Sequence, residues 1–191
     1  MTGKIFFLRH GQTDANKNGV FCGRPNFPLN EEGVRQACMA GERLCDTKFD
    51  AMLFGLSRRV LETAQIVRTQ LHNSPIETLG TSWIRELNFG SFENLSNTEI
   101  ETRFPQEWRA YMDCWQSFKF PSGDDIRKYF IRCTQFTAWL CKTFSEKKVL
   151  VVAHKGFILN CLAALHKEPL DMLFCRDIAN GGTIEISMRA L

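Results

Sequence analysis

Apolar residues along this chain follow two alternating patterns. Short unbroken runs, Ile5-Phe6-Phe7-Leu8, Ala51-Met52-Leu53-Phe54 and Val149-Leu150-Val151-Val152, have the length of strands buried on both faces. Between them, apolar positions recur every three or four residues, as on one face of a helix. Residues 30 to about 46 predict a first helix, capped by Asn30 and burying Val34, Ala37, Cys38, Gly41, Leu44 and Cys45. Ser57 opens a second, with Val60, Leu61, Ala64, Val67 and Leu71 facing inward. Residues 125 to about 145 predict a long helix through Ile126, Tyr129, Phe130, Cys133, Leu140 and Phe144, and a last helix runs through Phe157, Ile158, Cys161, Leu162 and Leu165. Residues 76–79 and 182–188 read as further strands.

Strands alternating with helices in this order predict an α/β fold, a three-layer α/β/α sandwich with a mainly parallel central sheet. Residues 96–121 fit neither pattern. Rich in Trp, Phe and Arg, they are expected to hold one short helix and a cap or excursion over the sheet. At 191 residues the chain is expected to be one domain, 1–191, large enough to fold without metal or disulfide staples.

Composition narrows the function classes. A net charge of +3 suits a small anionic ligand, and the basic residues are too scattered for nucleic acid. No apolar run approaches the ~20 residues of a membrane span, and residues 1–9 lack a secretory pattern, so a cytoplasmic location is expected. Eight cysteines include no Cys-x-x-Cys pair. Reduced core thiols are therefore expected over disulfides or a zinc site.

The chemistry concentrates where strands are expected to end. Ligands of open parallel sheets bind beyond the carboxyl ends of the strands. There the first strand delivers Arg9-His10, the second is followed by Arg59, the loop after the third carries Glu86, and the fourth leads into His154. Two guanidiniums, two imidazoles and a carboxylate suit phosphoryl transfer without a metal. A phosphate monoester carries about two negative charges, and its transition state spreads charge over three equatorial oxygens, which arginine forks can hold. Nearby positive charge keeps His10 neutral and nucleophilic, a protonated His154 would be a further anion donor, and Glu86 would serve the leaving oxygen as acid. Other phosphatase chemistries lack their signatures: no cysteine is followed six positions later by arginine, and there is neither a Walker loop nor an Asp-x-Asp pair.

Leu8-Arg9-His10-Gly11-Gln12-Thr13 with Asn16, Cys22-Gly23-Arg24, Arg59-Val60-Leu61-Glu62-Thr63-Ala64, Glu86-Leu87-Asn88-Phe89-Gly90 and Ala153-His154-Lys155-Gly156 together resemble the histidine phosphatase superfamily, the phosphoglycerate mutase-like enzymes. The resemblance implies that His10 is the nucleophile of a phosphohistidine intermediate. It implies that Arg9, Arg59 and His154 form the phosphate pocket, that Glu86 is the proton donor, and that Asn16 and the backbone of Cys22 and Gly23 touch the phosphate. No cofactor is implied. Lys155 stands where many relatives have glycine, and would add charge beside the pocket.

The middle segment, Asp113-Cys114-Trp115 and Pro121-Ser122-Gly123-Asp124, resembles bacterial α-ribazole phosphatases of cobalamin biosynthesis. That resemblance implies α-ribazole-5'-phosphate as substrate. A broad-specificity small-molecule phosphatase and a mutase-like enzyme are the alternatives, although relatives of the mutase type are longer after the proton donor. A non-catalytic phospholigand-binding scaffold would be expected to lack His10 or Glu86. His72 and His166 read as surface or helix-end residues, Arg58 as an ion-pair partner, and Asp124-Asp125 as a helix N-terminal pair. Arg24 could pair with a carboxylate or steer the substrate, and the Trp108, Tyr111, Trp115 and Phe118 stripe is expected to pack into the core, with some members capping the site. The partner is thus a small phosphate ester, with neither nucleic acid nor membrane involved.

Overall fold

The computed structural model describes residues 3–72 and 76–188. Five strands, β1 (Lys4–Arg9), β2 (Ala51–Phe54), β3 (Glu77–Gly80), β4 (Lys148–Ala153) and β5 (Thr183–Ser187), form one sheet in the order β3-β2-β4-β1-β5. All neighbouring pairs are parallel except β1 with β5. This is the α/β sandwich with a mainly parallel central sheet that the alternation of periods predicts.

The unbroken apolar runs are explained by burial on both faces. In β1, Ile5 and Phe7 point into one core, which includes Cys133, Phe136 and Leu140 of α6 (Ile126–Thr143) and Phe157, Ile158 and Cys161 of α7 (Lys155–Leu165). Phe6 and Leu8 point the other way, into a core with Ala40 and Leu44 of α2 (Glu31–Leu44) and Val60, Ala64 and Val67 of α3 (Arg58–Gln70). Successive strand residues alternate faces, so a strand with helices on both sides needs apolar residues throughout.

Asn30 caps α2 as expected, its side chain accepting from the Gly33 N–H at 2.9 Å. The buried face differs: Val34 is 44% exposed, while Gly33, Ala37, Ala40, Gly41 and Leu44 face inward. The cause is a close approach of backbones. A Cβ on Gly33 would lie 2.0 Å from the Gln12 carbonyl oxygen, and one on Gly11 would lie 2.2 Å from the Gly33 carbonyl oxygen. Small residues therefore take the inner face and rotate Val34 outward.

Two elements were not visible in the periodicity. A one-turn helix, α1 (Asp14–Lys17), follows β1 and is fixed by a capping box between Thr13 and Asn16. Residues 96–121 contain two helices rather than one, α4 (Asn97–Arg103) and α5 (Pro105–Cys114). Ser96 and Glu99 box the first, and Pro105 starts the second. Trp108, Tyr111, Trp115 and Phe118 pack half-buried against the core. The cysteines of the described residues are free thiols, and no helix among these residues is long and apolar enough to cross a membrane.

Candidate active site

Strand register builds the site. Arg9 pairs with Ala153 where β1 and β4 end together, and the His10 N–H donates to the Ala153 carbonyl at 3.0 Å. His10 and His154 are each the next residue after those paired ends. Their rings lie 5.3 Å apart between centroids, at 71° to each other. Both are buried, 4% and 1% exposed.

The bonds around His10 assign its tautomer. Nδ1 lies 2.7 Å from the Gly11 carbonyl oxygen, so Nδ1 carries the hydrogen and Nε2 keeps a free lone pair. Burial, then the Arg59 guanidinium, hold this imidazole well below the usual histidine range; the Gly11 contact opposes them and Arg9 adds to them. Burial, Arg59, His10 and Arg9 lower His154 in the same way. These causes disfavour the protonated form in which His154 would be a charged anion donor. Its Nε2 lies 3.3 Å from Ser57 Oγ, and its Nδ1 is buried without a partner among the described residues.

These two imidazoles make stability depend on pH. Each is depressed in the folded state and titrates near 6.5 when unfolded. Below that value the unfolded chain binds more protons, so their contribution is complete above about pH 6.5 and is lost as pH falls toward the folded values. The Tm is expected to drop between pH 7 and 5, and to drop less in His154→Asn; an equal slope in both would contradict the assignment.

Arg59, 1% exposed, enters from the first turn of α3. Nη1 donates to the Pro25 carbonyl at 2.9 Å, and Nη2 to the Cys22 and Gly23 carbonyls at 3.3 and 3.0 Å. Three of its five donors therefore hold the 22–25 loop, and two remain. Arg9 Nη1 donates to the Ile178 carbonyl at 2.7 Å, while its buried Nε has no partner among the described residues. Burial lowers the Arg9 guanidinium, against the pull of Glu86 and Asp177.

Glu86 is fixed from three sides. Oε1 accepts from the Tyr129 hydroxyl and the Leu87 N–H, both at 2.9 Å, and Oε2 accepts from the Gly156 N–H at 3.0 Å. Gly156 leaves room for this docking, since a Cβ there would lie 2.5 Å from Oε1. Gly156→Ala is expected to displace the carboxylate and lower kcat roughly 10²-fold, the scale of a 1 Å misplacement, with the Tm little changed. Unaltered kcat would show that Glu86 position is not limiting.

The remaining expected residues divide. Asn16 Oδ1 accepts from the Thr13 N–H at 3.1 Å and from Asn180 Nδ2 at 3.3 Å, and Asn16 lines the cavity described below. The Gly23 N–H donates to Glu93 Oε2 at 2.8 Å, and Gly23 lines an opening with Glu86 and His154. Glu93 also accepts from the Arg24 and Phe89 N–H groups, so it organises both loops. The Cys22 thiol is half-buried and raised by burial, hence protonated. Lys155 Nζ lies 2.7 Å from Asp177 Oδ1, so much of its charge is already balanced. Arg58 pairs with Glu62 at 2.7 Å, exposed His72 pairs with Asp46, and Asp125 caps α6.

Glu86 and Gly156 border a cavity of about 410 Å³, walled by Phe21, Phe89, Tyr111, Trp115 and Phe120. Tyr111 and Trp115 come from the cap, so part of the aromatic stripe covers the site. Glu86 and His154 also line a second opening with Ser57, Arg24 and Arg85. Tyr129, Ser57 and Glu93 were not singled out by sequence as site residues: Tyr129 read as one apolar position of a stripe, Ser57 as the start of a helix, and nothing local marks Glu93. Among the described residues, the side chains grouped closely enough to hold a metal are Cys45, Asp46 and His72, at the end of α2 rather than at the rim.

A family model described as "Histidine phosphatase superfamily (branch 1)" matches residues 5–190. The chain belongs to the histidine phosphatase superfamily. It is a phosphoester-hydrolysing enzyme. Among curated relatives, a 2,3-bisphosphoglycerate-dependent phosphoglycerate mutase of Rhizobium meliloti (strain 1021) is 27% identical, over 95% of this chain and 88% of the relative. An adenosylcobalamin/α-ribazole phosphatase of Escherichia coli (strain K12) is 25% identical, over 90% and 83%. The crystal structure of the α-ribazole phosphatase from Shigella flexneri superposes with a TM-score of 0.88 at 24% identity, covering 96% of this chain and 89% of that one. Superfamily relatives of both types thus match at similar identity.

Proposed function

We propose that this enzyme is a phosphomonoesterase working through a phosphohistidine on His10, and that its substrate is α-ribazole-5'-phosphate or a closely similar monoester. The observation that carries the chemistry is the bond from His10 Nδ1 to the Gly11 carbonyl, 2.7 Å, in a ring kept neutral by burial and Arg59. Nε2 attacks phosphorus, the bond from phosphorus to the leaving oxygen breaks, and Glu86 gives that oxygen its proton. Water then attacks phosphorus while Glu86 takes its proton, the bond from phosphorus to His10 Nε2 breaks and returns the lone pair to that nitrogen, and phosphate leaves.

Arg9, Arg59 and His154 hold the equatorial oxygens. Support comes from Arg9 Nε and His154 Nδ1, buried polar atoms without partners among the described residues, which an oxoanion would satisfy. Asn16 adds a contact from the loop. The leaving group occupies the aromatic cavity beside Glu86, whose flat walls suit stacking on a benzimidazole nucleoside.

The test is a substrate panel in chelator: α-ribazole-5'-phosphate, 3-phosphoglycerate and sugar phosphates, read as kcat/KM. α-Ribazole-5'-phosphate is expected to lead by 10-fold or more, about 1.4 kcal/mol of transition-state binding. Equal rates on all esters would favour a broad-specificity phosphatase, and conversion of 3-phosphoglycerate to its isomer would favour a mutase-like enzyme. No turnover on any ester would sink the reading.

A further inference from the structure

Tyr129 has two sides. One lines the aromatic cavity, and the other lines a separate cavity of about 270 Å³ with Arg85, Lys119, Asp124, Asp125, Lys128 and Arg132. Among the described residues, Tyr129 is the only one common to both. Four cations thus face two carboxylates, and each carboxylate spends an oxygen on the backbone. Asp124 Oδ2 accepts from the Asn88 N–H at 3.0 Å, and Asp125 Oδ1 accepts from the Lys128 N–H at 3.1 Å. None of the four cations makes an ion pair among the described residues.

The cations are also placed by the fold rather than scattered. Arg132 Nη2 donates to the Arg85 carbonyl at 2.9 Å, its guanidinium lies 4.4 Å over the Tyr129 ring, and its buried Nε has no partner among the described residues. The Arg85 guanidinium is held below its ordinary value by burial and by repulsion from Arg132 and Arg24, with Asp124 and Tyr129 opposing. Like charges gathered this closely repel unless an anion joins them. Lysine and arginine donors around a concavity are what a phosphate group requires.

We propose that this cavity is a second, non-catalytic binding site for a phosphate group, either free phosphate or the phosphoryl end of a small molecule. It meets the catalytic rim through Arg85, which also lines the opening with Glu86 and His154, and through the Tyr129 hydroxyl that donates to Glu86 at 2.9 Å. An anion drawing on Arg132 acts on the ring over which Arg132 lies, and so on the carboxylate that the hydroxyl holds.

The test titrates inorganic phosphate calorimetrically into protein carrying one equivalent of orthovanadate, which the rim takes first because five-coordinate vanadium can bond His10 Nε2, whereas the second cavity offers only hydrogen-bond donors and charge. One further equivalent is expected, and Lys119→Gln/Lys128→Gln is expected to weaken it at least 10-fold, with vanadate binding and Tm retained. Methylphosphonate in a parallel titration separates the two sources: binding like phosphate indicates a substituted phosphoryl ligand, and binding of phosphate alone indicates the free anion. No further equivalent, or one unchanged in the double variant, would overturn the proposal. Failure of vanadate to bind would instead count against the catalytic reading, leaving the comparison of wild type and variant to report on this cavity.

Discussion

His10→Ala is expected to lower kcat by on the order of 10⁴-fold or more, because it removes the proposed nucleophile. The ring is buried and makes one side-chain hydrogen bond, to its own neighbour Gly11, so the variant should fold and still bind phosphate through Arg9, Arg59 and His154. The intermediate supplies an independent readout. Wild-type enzyme quenched during turnover of a ³²P-labelled ester should carry label that survives alkali and is lost in acid, the behaviour of a phosphorus–nitrogen bond. His10→Ala should carry none. Label on another residue, or undiminished turnover in the variant, would remove His10 from the mechanism.

Glu86→Gln is expected to cost 10²- to 10⁴-fold in kcat on an alkyl phosphate, the range for losing a positioned acid. The loss should shrink markedly on p-nitrophenyl phosphate, whose leaving group departs without a proton. Glutamine retains the acceptor oxygen for the Tyr129 hydroxyl and the Leu87 N–H but sets its NH2 against the Gly156 N–H, a displacement whose cost falls on both esters alike. The contrast between esters therefore reads proton donation specifically. Equal losses on both would assign Glu86 a positioning role and leave the proton to another group.

These expectations rest on residues that differ in how far the sequence exposed them. Arg9 and His10 follow an apolar run whose length marks a strand buried on both faces, and His154 follows another. Because β1 and β4 are parallel neighbours ending in register at Arg9 and Ala153, the two histidines meet without any special loop. Arg59 was legible as a cation in a helix's first turn, but its work on the Cys22, Gly23 and Pro25 carbonyls was not. A side chain reaching across some 35 positions leaves no local pattern. Tyr129 shows the same limit: its ring obeys the helical stripe of α6, and only its hydroxyl, meeting Glu86 from another element, has chemical consequence.

The misread face of α2 has a physical cause of the same kind. Periodicity weights a helix face by hydrophobicity, which favours Val34, whereas the packing needed there is by volume. Gly33 and Gly11 sit where their backbones approach too closely for a Cβ, a demand set by neighbouring elements. The two-helix cap was hidden because α5 buries none of its residues fully, so its aromatic positions follow the cavity they cover as much as a helical period.

By itself the sequence determined the α/β alternation, the strand ends and the identity of the charged and imidazole groups that follow them, because these are local matters of period and of residue type. Only the tertiary structure decided which nitrogen of His10 is free, that burial and Arg59 lower the His154 imidazole, that the Gly23 N–H serves Glu93, and that four cations surround a cavity behind Tyr129. Each of these depends on burial and on hydrogen-bond partners brought together from distant segments, and desolvation and partner geometry exist only once the chain has folded.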